Sequence, residues 1–234
     1  MGTLIRASGL VGVLLCGAVG GCGSGGGTGV GGGIVQPVRV GDSFAGASYE
    51  DLSAAWWNWC SAIRFDEHPV ASDPTGAFAG IGQSGDFWFL AGTFGGFAER
   101  TVTIPAGKAL FFPLFNTAYW MPEDAPSLAE CAAGAAGGPN QCDILECEVD
   151  GTAIPDLFSY RIPSGPWLLQ IPPGGIFTEP QFGGYDPGTR TAMGDGFWMF
   201  LKPLSRGAHT IHLRGGISGM GGFEVEALYH LTVV

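Results

Sequence analysis

From Tyr49 to Ile63 the apolar positions recur at the spacing of a helix. At 100° per residue, Tyr49, Leu52, Trp56, Trp59, Cys60 and Ile63 share one face, with Glu50, Ala54, Asn58 and Ser61 opposite. Ser48 followed by Asp51 at the third helical position is close to a capping box, so a helix is predicted to start there. Trp57 falls on the flank, beside Ser53 and Arg64, and is the one aromatic here that the stripe does not claim.

After residue 80 the period shortens to two. "GDFWFLAGT", "RTVTIPAG" and "KALFFPLFN" read as three strands, with Pro-Ala-Gly as the turn before the third. Residues 122–143 form a Pro/Ala/Gly-rich excursion with a short helix around Ser127 to Cys131. "CDILECEVDGTAIP" supplies a strand, an Asp150-Gly151 turn and a return, which predicts a hairpin. "LFSYRI" and "PWLLQI" read as short strands, and Pro172 to Met193 as a long surface loop. "DGFWMFLKPL", "GAHTIHLRG" and "FEVEALYHLTVV" close the chain. Short strands, regular turn signals and one early helix predict a mainly β chain. The expected architecture is an antiparallel β-sandwich, jelly-roll-like, with one amphipathic helix, as a single domain over residues 34–234.

The N-terminus changes the picture from a fold to a location. Arg6 is followed by an apolar run from Leu10 to Val19, too short to cross a bilayer and suited to a secretory signal peptide. It ends in "VGGC", which resembles the lipobox of bacterial lipoproteins. That resemblance implies a signal peptide over residues 1–21 and lipid on Cys22, which would tie the protein to a membrane. Gly23 stands where an inner-membrane retention signal places Asp, so the outer membrane is favoured in a cell that has one. Residues 22–33 are then the lipidated cysteine and a Gly-rich tether with a root-mean-square span of roughly 18 Å. The Gly-rich run has no Lys-Ser/Thr ending, so it is not a phosphate-cradling loop.

Composition narrows the partners. Of 234 residues 46% are hydrophobic and 13% charged, with 42 Gly and 16 Pro, which suits strands joined by tight turns and opposes disorder. A formal net charge of −11 argues against a nucleic-acid partner. Of six cysteines the signal removes Cys16 and lipid takes Cys22, leaving Cys60, Cys131, Cys142 and Cys147. An even number in an oxidising compartment predicts two disulfides, with the pairing open; Cys131 and Cys142 bracket a small-residue stretch that looks like a closed loop. No CxxC pair supports a zinc site.

"WWNW", "GQSGDFWFLAGT", "PAGKALFFPLFN", "DGFWMFLKPLSRGAHTIHL" and "YHLTVV" resemble a group of secreted bacterial proteins without an assigned activity, over about residues 35–234. The resemblance implies export and carries no catalytic residues. Relatives have cysteines near the positions of Phe78 and Val102, which this chain lacks, so a shared disulfide scheme does not transfer.

Candidate chemistry comes from pairs. Alternation puts Glu146 and Glu148 on one face of their strand and Glu224 with Glu226 on one face of the last. Carboxylates two apart on a strand sit about 6–7 Å apart, in the range of glycosidase acid/base pairs, and could hold Ca²⁺ with help from Asp150. The simpler account is a wet sheet face, which puts Glu at these positions without any chemistry. His209 and His212 point to opposite faces and cannot chelate one metal together. "GQSGD" and "GISGM" lack the last glycine of a Ser-hydrolase elbow. The expected function is therefore an envelope-anchored lipoprotein that acts as a ligand- or glycan-binding surface module. Trp57, Trp88, Trp120, Tyr185 and Trp198 are its candidate contacts to a glycan or envelope protein. The alternatives are a hydrolase or lyase using a glutamate pair as acid and base, and a structural envelope protein.

Overall fold

A computed structural model describes residues 35–219 and 222–234. The expected signal peptide, Cys22 and the glycine-rich tether lie outside the described residues. Helix α1 (Tyr49–Ala62) starts as the pattern predicts. Ser48 Oγ accepts from the Asp51 amide at 3.2 Å, and the Asp51 carboxylate accepts from the Ser48 amide at 3.0 Å. This reciprocal cap satisfies two amides that the first turn leaves without partners.

Nine strands follow among the described residues: β1 (Phe87–Phe89), β2 (Gly96–Ile104), β3 (Ala109–Met121), β4 (Ile144–Val149), β5 (Thr152–Ala153), β6 (Ser164–Ile171), β7 (Gly188–Leu201), β8 (Gly207–Ile217) and β9 (Phe223–Val233). They form a β-sandwich of a four-stranded sheet, β1-β3-β7-β6, and a five-stranded sheet, β2-β9-β8-β4-β5. The all-antiparallel expectation is corrected. Each sheet ends in one parallel pair, β1 with β3 and β2 with β9. The β2–β9 pair joins segments far apart in the chain, which no local turn signal could announce.

The four-stranded sheet is buried on both faces. On β7, Phe197, Met199 and Leu201 enter the core between the sheets, while Trp198 and Phe200 enter a second core under α1. That is why β3 and β7 read as nearly continuous apolar runs. Trp198 stacks on Phe111 at 5.0 Å and meets Trp56 of α1 edge-on at 5.6 Å. The helix face expected to be wet is docked as well. Asn58 accepts from the Gln170 amide at 2.8 Å and donates to the Leu168 carbonyl at 3.0 Å, and Ser61 donates to the Gln170 carbonyl at 2.6 Å. Polar side chains of α1 thus close the β6 edge of the sheet.

Other local expectations shift. The stretch read as a short helix is α2 (Leu128–Gly137), capped by Ser127. "LFSYRI" begins as a 3₁₀ turn, Leu157–Tyr160, after Asp156 enters the left-handed region at φ +55°. The long loop shrinks, because β7 begins at Gly188 after two 3₁₀ turns. The Asp150-Gly151 hairpin forms as predicted, both residues having positive φ.

The two expected disulfides are absent: Cys60, Cys131, Cys142 and Cys147 are all free and buried. Cys60 lies in the core under α1 and Cys147 in the core between the sheets, so the four-stranded sheet stands between them. Cys131 lies within α2 and Cys142 beyond its end, with the seven residues from 131 to 137 spanning roughly 9 Å of helix.

Candidate binding cavity

β1 pairs with β3 only over Phe87–Phe89 against Ala109–Phe111, and β3 continues to Met121 beside β7. From Pro113 to Trp120 its other edge has no strand neighbour among the described residues. The cause lies in the chain after β1. The Ala91 carbonyl accepts from Arg100 Nη1 at 2.7 Å and from Tyr229 Oη at 2.6 Å, and the Gly92 carbonyl accepts from Arg100 Nη1 at 3.0 Å. Arg100 and Tyr229 belong to β2 and β9 of the other sheet. They hold the chain away from β3, and a gap opens beside it.

A bulge decides what faces that gap. The β3–β7 register shifts between Pro113 and Phe115. Leu110, Phe112 and Leu114 point between the sheets; after the extra residue Phe115 does so too, while Trp120 joins the core under α1.

The gap is a cavity of about 980 Å³, lined by every residue from Pro113 to Trp120. One strand face offers only alternate residues, so the cavity wraps the strand's edge and reaches both faces. On the α1 side it meets Trp57, Phe94, Phe177, Phe182 and Tyr185. On the other side stand Gly134, Gly137 and Gly138 of the α2 region, with Phe223 and Val225 of β9. Gly134 is sterically required there, since a Cβ on it would lie 2.5 Å from the Tyr119 ring, whereas a Cβ on Gly137 would meet nothing within 4 Å.

Glu123 and Asp124 are the charged residues of the lining, and among the described residues no Lys, Arg or His belongs to it. Glu123 is neutralised by Arg190 at 2.6 Å. Asp124 accepts from the Trp120 amide at 3.0 Å and from the Tyr185 hydroxyl at 3.3 Å. Burial raises its pKa, against the pull of those two hydrogen bonds, and Glu123 adds to the rise. Burial, with Asp124 nearby, also raises the Tyr119 phenol. Trp57 Nε1, Trp120 Nε1 and Asn116 Nδ2 are buried without a hydrogen-bond partner among the described residues. An unmade bond of this kind costs about 1–3 kcal/mol. The lining is thus aromatic, short of acceptors and free of positive charge.

Three of the five candidate aromatics, Trp57, Trp120 and Tyr185, therefore come together here. Trp88 packs between the sheets and Trp198 under α1, away from the cavity. All four tryptophans are 1–8% exposed, so none presents an open ring face to solvent. Asp124, Phe177 and Asn116 escaped the sequence reading; the one available signal was the length of the apolar run "FFPLFNTAYW" beyond a short preceding strand.

The glutamate pairs are elsewhere. β8 lies between β4 and β9 and interleaves cations with the carboxylates. Arg214 bonds Glu146 at 2.7 Å and Glu224 at 2.7 Å, and His212 bonds Glu226 at 2.8 Å. Glu148 faces His212 in register on the same outer face. None of the four lines the cavity. Among the described residues no group of three or more His, Cys, Asp or Glu is placed to hold a metal ion such as Ca²⁺. His209 bonds Asp150 at 2.8 Å beside the hairpin. Cys60 Sγ lies 3.7 Å from His68 Nε2, but that nitrogen bonds the Cys60 carbonyl at 2.9 Å, and burial raises the thiol's pKa far from a reactive range.

Comparison of the chain with protein-family models, with curated proteins and with solved structures gives no match.

Proposed function

We propose that the protein is an exported, lipid-tethered binding module, and that the cavity beside β3 is its binding site. The tether part of the reading rests on residues 1–33: the apolar run, the "VGGC" sequence and the glycine-rich stretch. The site part rests on one observation, an aromatic cavity of about 980 Å³ whose charged residues are all acidic. Such a lining repels phosphates and carboxylated ligands, and admits uncharged or cationic ones with an apolar body. A ligand bearing hydrogen-bond acceptors could also relieve the unpartnered indole N–H groups.

The test is the melting temperature of the purified protein against uncharged, cationic and anionic ligands, with chito- and cello-oligosaccharides and short peptides among them. A ligand that binds the folded state alone at 100 times its Kd stabilises it by about 2.7 kcal/mol, several degrees at this size. Trp57→Phe or Asp124→Asn should reduce that shift. No shift with any uncharged or cationic ligand, or preferential binding of anions, would overturn the reading.

A further inference from the structure

We propose that the ligand is an extended polypeptide segment, uncharged or basic, which adds to the open edge of β3 as a strand. This rests on the cavity being a binding site, and it names what the site takes.

The backbone geometry carries the inference. The Trp120 amide donates to the Asp124 carboxylate, and the Trp120 carbonyl accepts from the Asp124 amide, so both groups of Trp120 point away from β7. In an antiparallel ladder alternate residues point the same way. Asn116 and Ala118 therefore also turn their N–H and C=O groups away from β7, toward the cavity. On β7 the partner of Asn116, Gly196, gives its carbonyl to the Ile162 amide on the far side, as that phase requires. No turn or side chain among the described residues bonds the Asn116 or Ala118 backbone groups. Residues 116–119 are only half-buried.

The same sheet shows what a closed edge looks like. At β6, Asn58 and Ser61 of α1 occupy the backbone groups of Leu168 and Gln170. β3 has no such cover. Arg100 and Tyr229 hold away the chain that would otherwise have continued β1 along it.

A strand laid there would send alternate side chains to the two faces that the cavity reaches. One set would enter the aromatic side near Trp57 and Trp120; the other would meet the glycines of the α2 region. Backbone pairing supplies affinity in this mode, and the two sets of pockets supply selectivity. Oligosaccharides lack the alternating N–H and C=O groups that such an edge matches. Asp124, with Glu123 already paired to Arg190 and no basic residue in the lining among the described residues, sets the preference for basic over acidic segments.

The experiment is selection of random seven-residue peptides displayed on phage against the purified protein, followed by synthesis of the enriched sequences. Enriched peptides should alternate apolar positions and carry Lys or Arg in preference to Asp or Glu. N-methylation of alternate residues on one edge of a selected peptide should weaken binding at least about tenfold, and on the other edge should not. Ala118→Pro, which removes one open-edge N–H and no ladder bond, should weaken binding without lowering the melting temperature. Enriched peptides indifferent to N-methylation would overturn strand addition, and so would the absence of any enrichment. If oligosaccharides bind and peptides do not, the cavity remains a binding site and the peptide proposal fails. If neither binds, both fail.

Discussion

Arg100 Nη1 lies 2.8 Å from the Tyr229 hydroxyl, inside the protein, with both side chains about 1% exposed. The guanidinium carbon also stands 5.5 Å from the centroid of the Tyr229 ring. Among the described residues no carboxylate forms an ion pair with this arginine. Its Nε donates to the Asp73 carbonyl at 2.8 Å, and Nη1 serves the carbonyls of Ala91 and Gly92. The Asp73 carboxylate is itself occupied by the amides of Thr75, Gly76, Ala77 and Phe78. Arg100 is thus a buried clamp on three backbone carbonyls from two loops.

Removing the clamp should be costly. Arg100→Met leaves the Asp73 and Gly92 carbonyls without their donor, the Ala91 carbonyl keeping Tyr229, and is expected to destabilise by about 3 kcal/mol or more, and Tyr229→Phe by about 1–2 kcal/mol. Urea unfolding measures both. The double variant should fall short of the sum, because both side chains serve the Ala91 carbonyl. Ligand shifts in melting temperature should shrink in either variant, since the clamp keeps the β3 edge open.

His68 should make the fold acid-sensitive. It is fully buried, its Nδ1 accepts the amides of Val70 and Ala71 at 3.1 and 3.2 Å, and its Nε2 faces the Cys60 carbonyl. This fixes a neutral ring with the proton on Nε2. Burial lowers its pKa to about 4. The folded pKa lies below the unfolded value near 6.5, so the unfolded chain binds the proton first. Stability is full above about pH 6.5 and falls toward pH 4, by about 3 kcal/mol over the window. Denaturation at pH 7, 5.5 and 4.5 should show that slope, and His68→Gln should flatten it from a lower starting stability.

Gly215 packs β8 against the bulge of β3, and a Cβ there would overlap the Leu114 carbonyl oxygen. Backbone cannot step aside as a side-chain tip can. Gly215→Ala is expected to cost about 1–3 kcal/mol or more by denaturant unfolding. Gly137→Ala, where nothing lies within 4 Å, should be neutral or slightly stabilising.

The outer face of the five-stranded sheet should be quiet. Glu146 and Glu224 share Arg214 at side-chain exposures of 30–48%. Glu146→Gln and Glu224→Gln should each change stability by less than about 1 kcal/mol, and less again in high salt. Neither should alter a ligand-induced shift in melting temperature.

What the sequence revealed was local. Ser48 and Asp51 announced α1 because a cap is made within three residues, and Asp150-Gly151 announced the hairpin because a tight turn needs two positive φ values. The cavity is not local. It exists because Arg100 and Tyr229, far apart in the chain, take hold of Ala91 and Gly92, and no periodicity carries that information. Trp57 was marked as odd by its place on the flank of the stripe, but its neighbour Phe177 comes from the segment read as surface loop. The glutamate pairs looked like chemistry because spacing is visible and pairing is not; Arg214 arrives from a strand between theirs. Parity misled the cysteine reading, since an even count says nothing of which side of a sheet each thiol lies on.

Those thiols have a consequence for the compartment in which the protein can work. Cys60, Cys131, Cys142 and Cys147 are buried as reduced groups, and burial raises the pKa of each. None of these four positions offers a ready thiolate to an oxidant while the domain is folded. Its melting temperature should be the same with and without reductant, and a thiol reagent should reach these four positions only after unfolding. On this arrangement the stability of the described domain is expected to be indifferent to the redox potential around it.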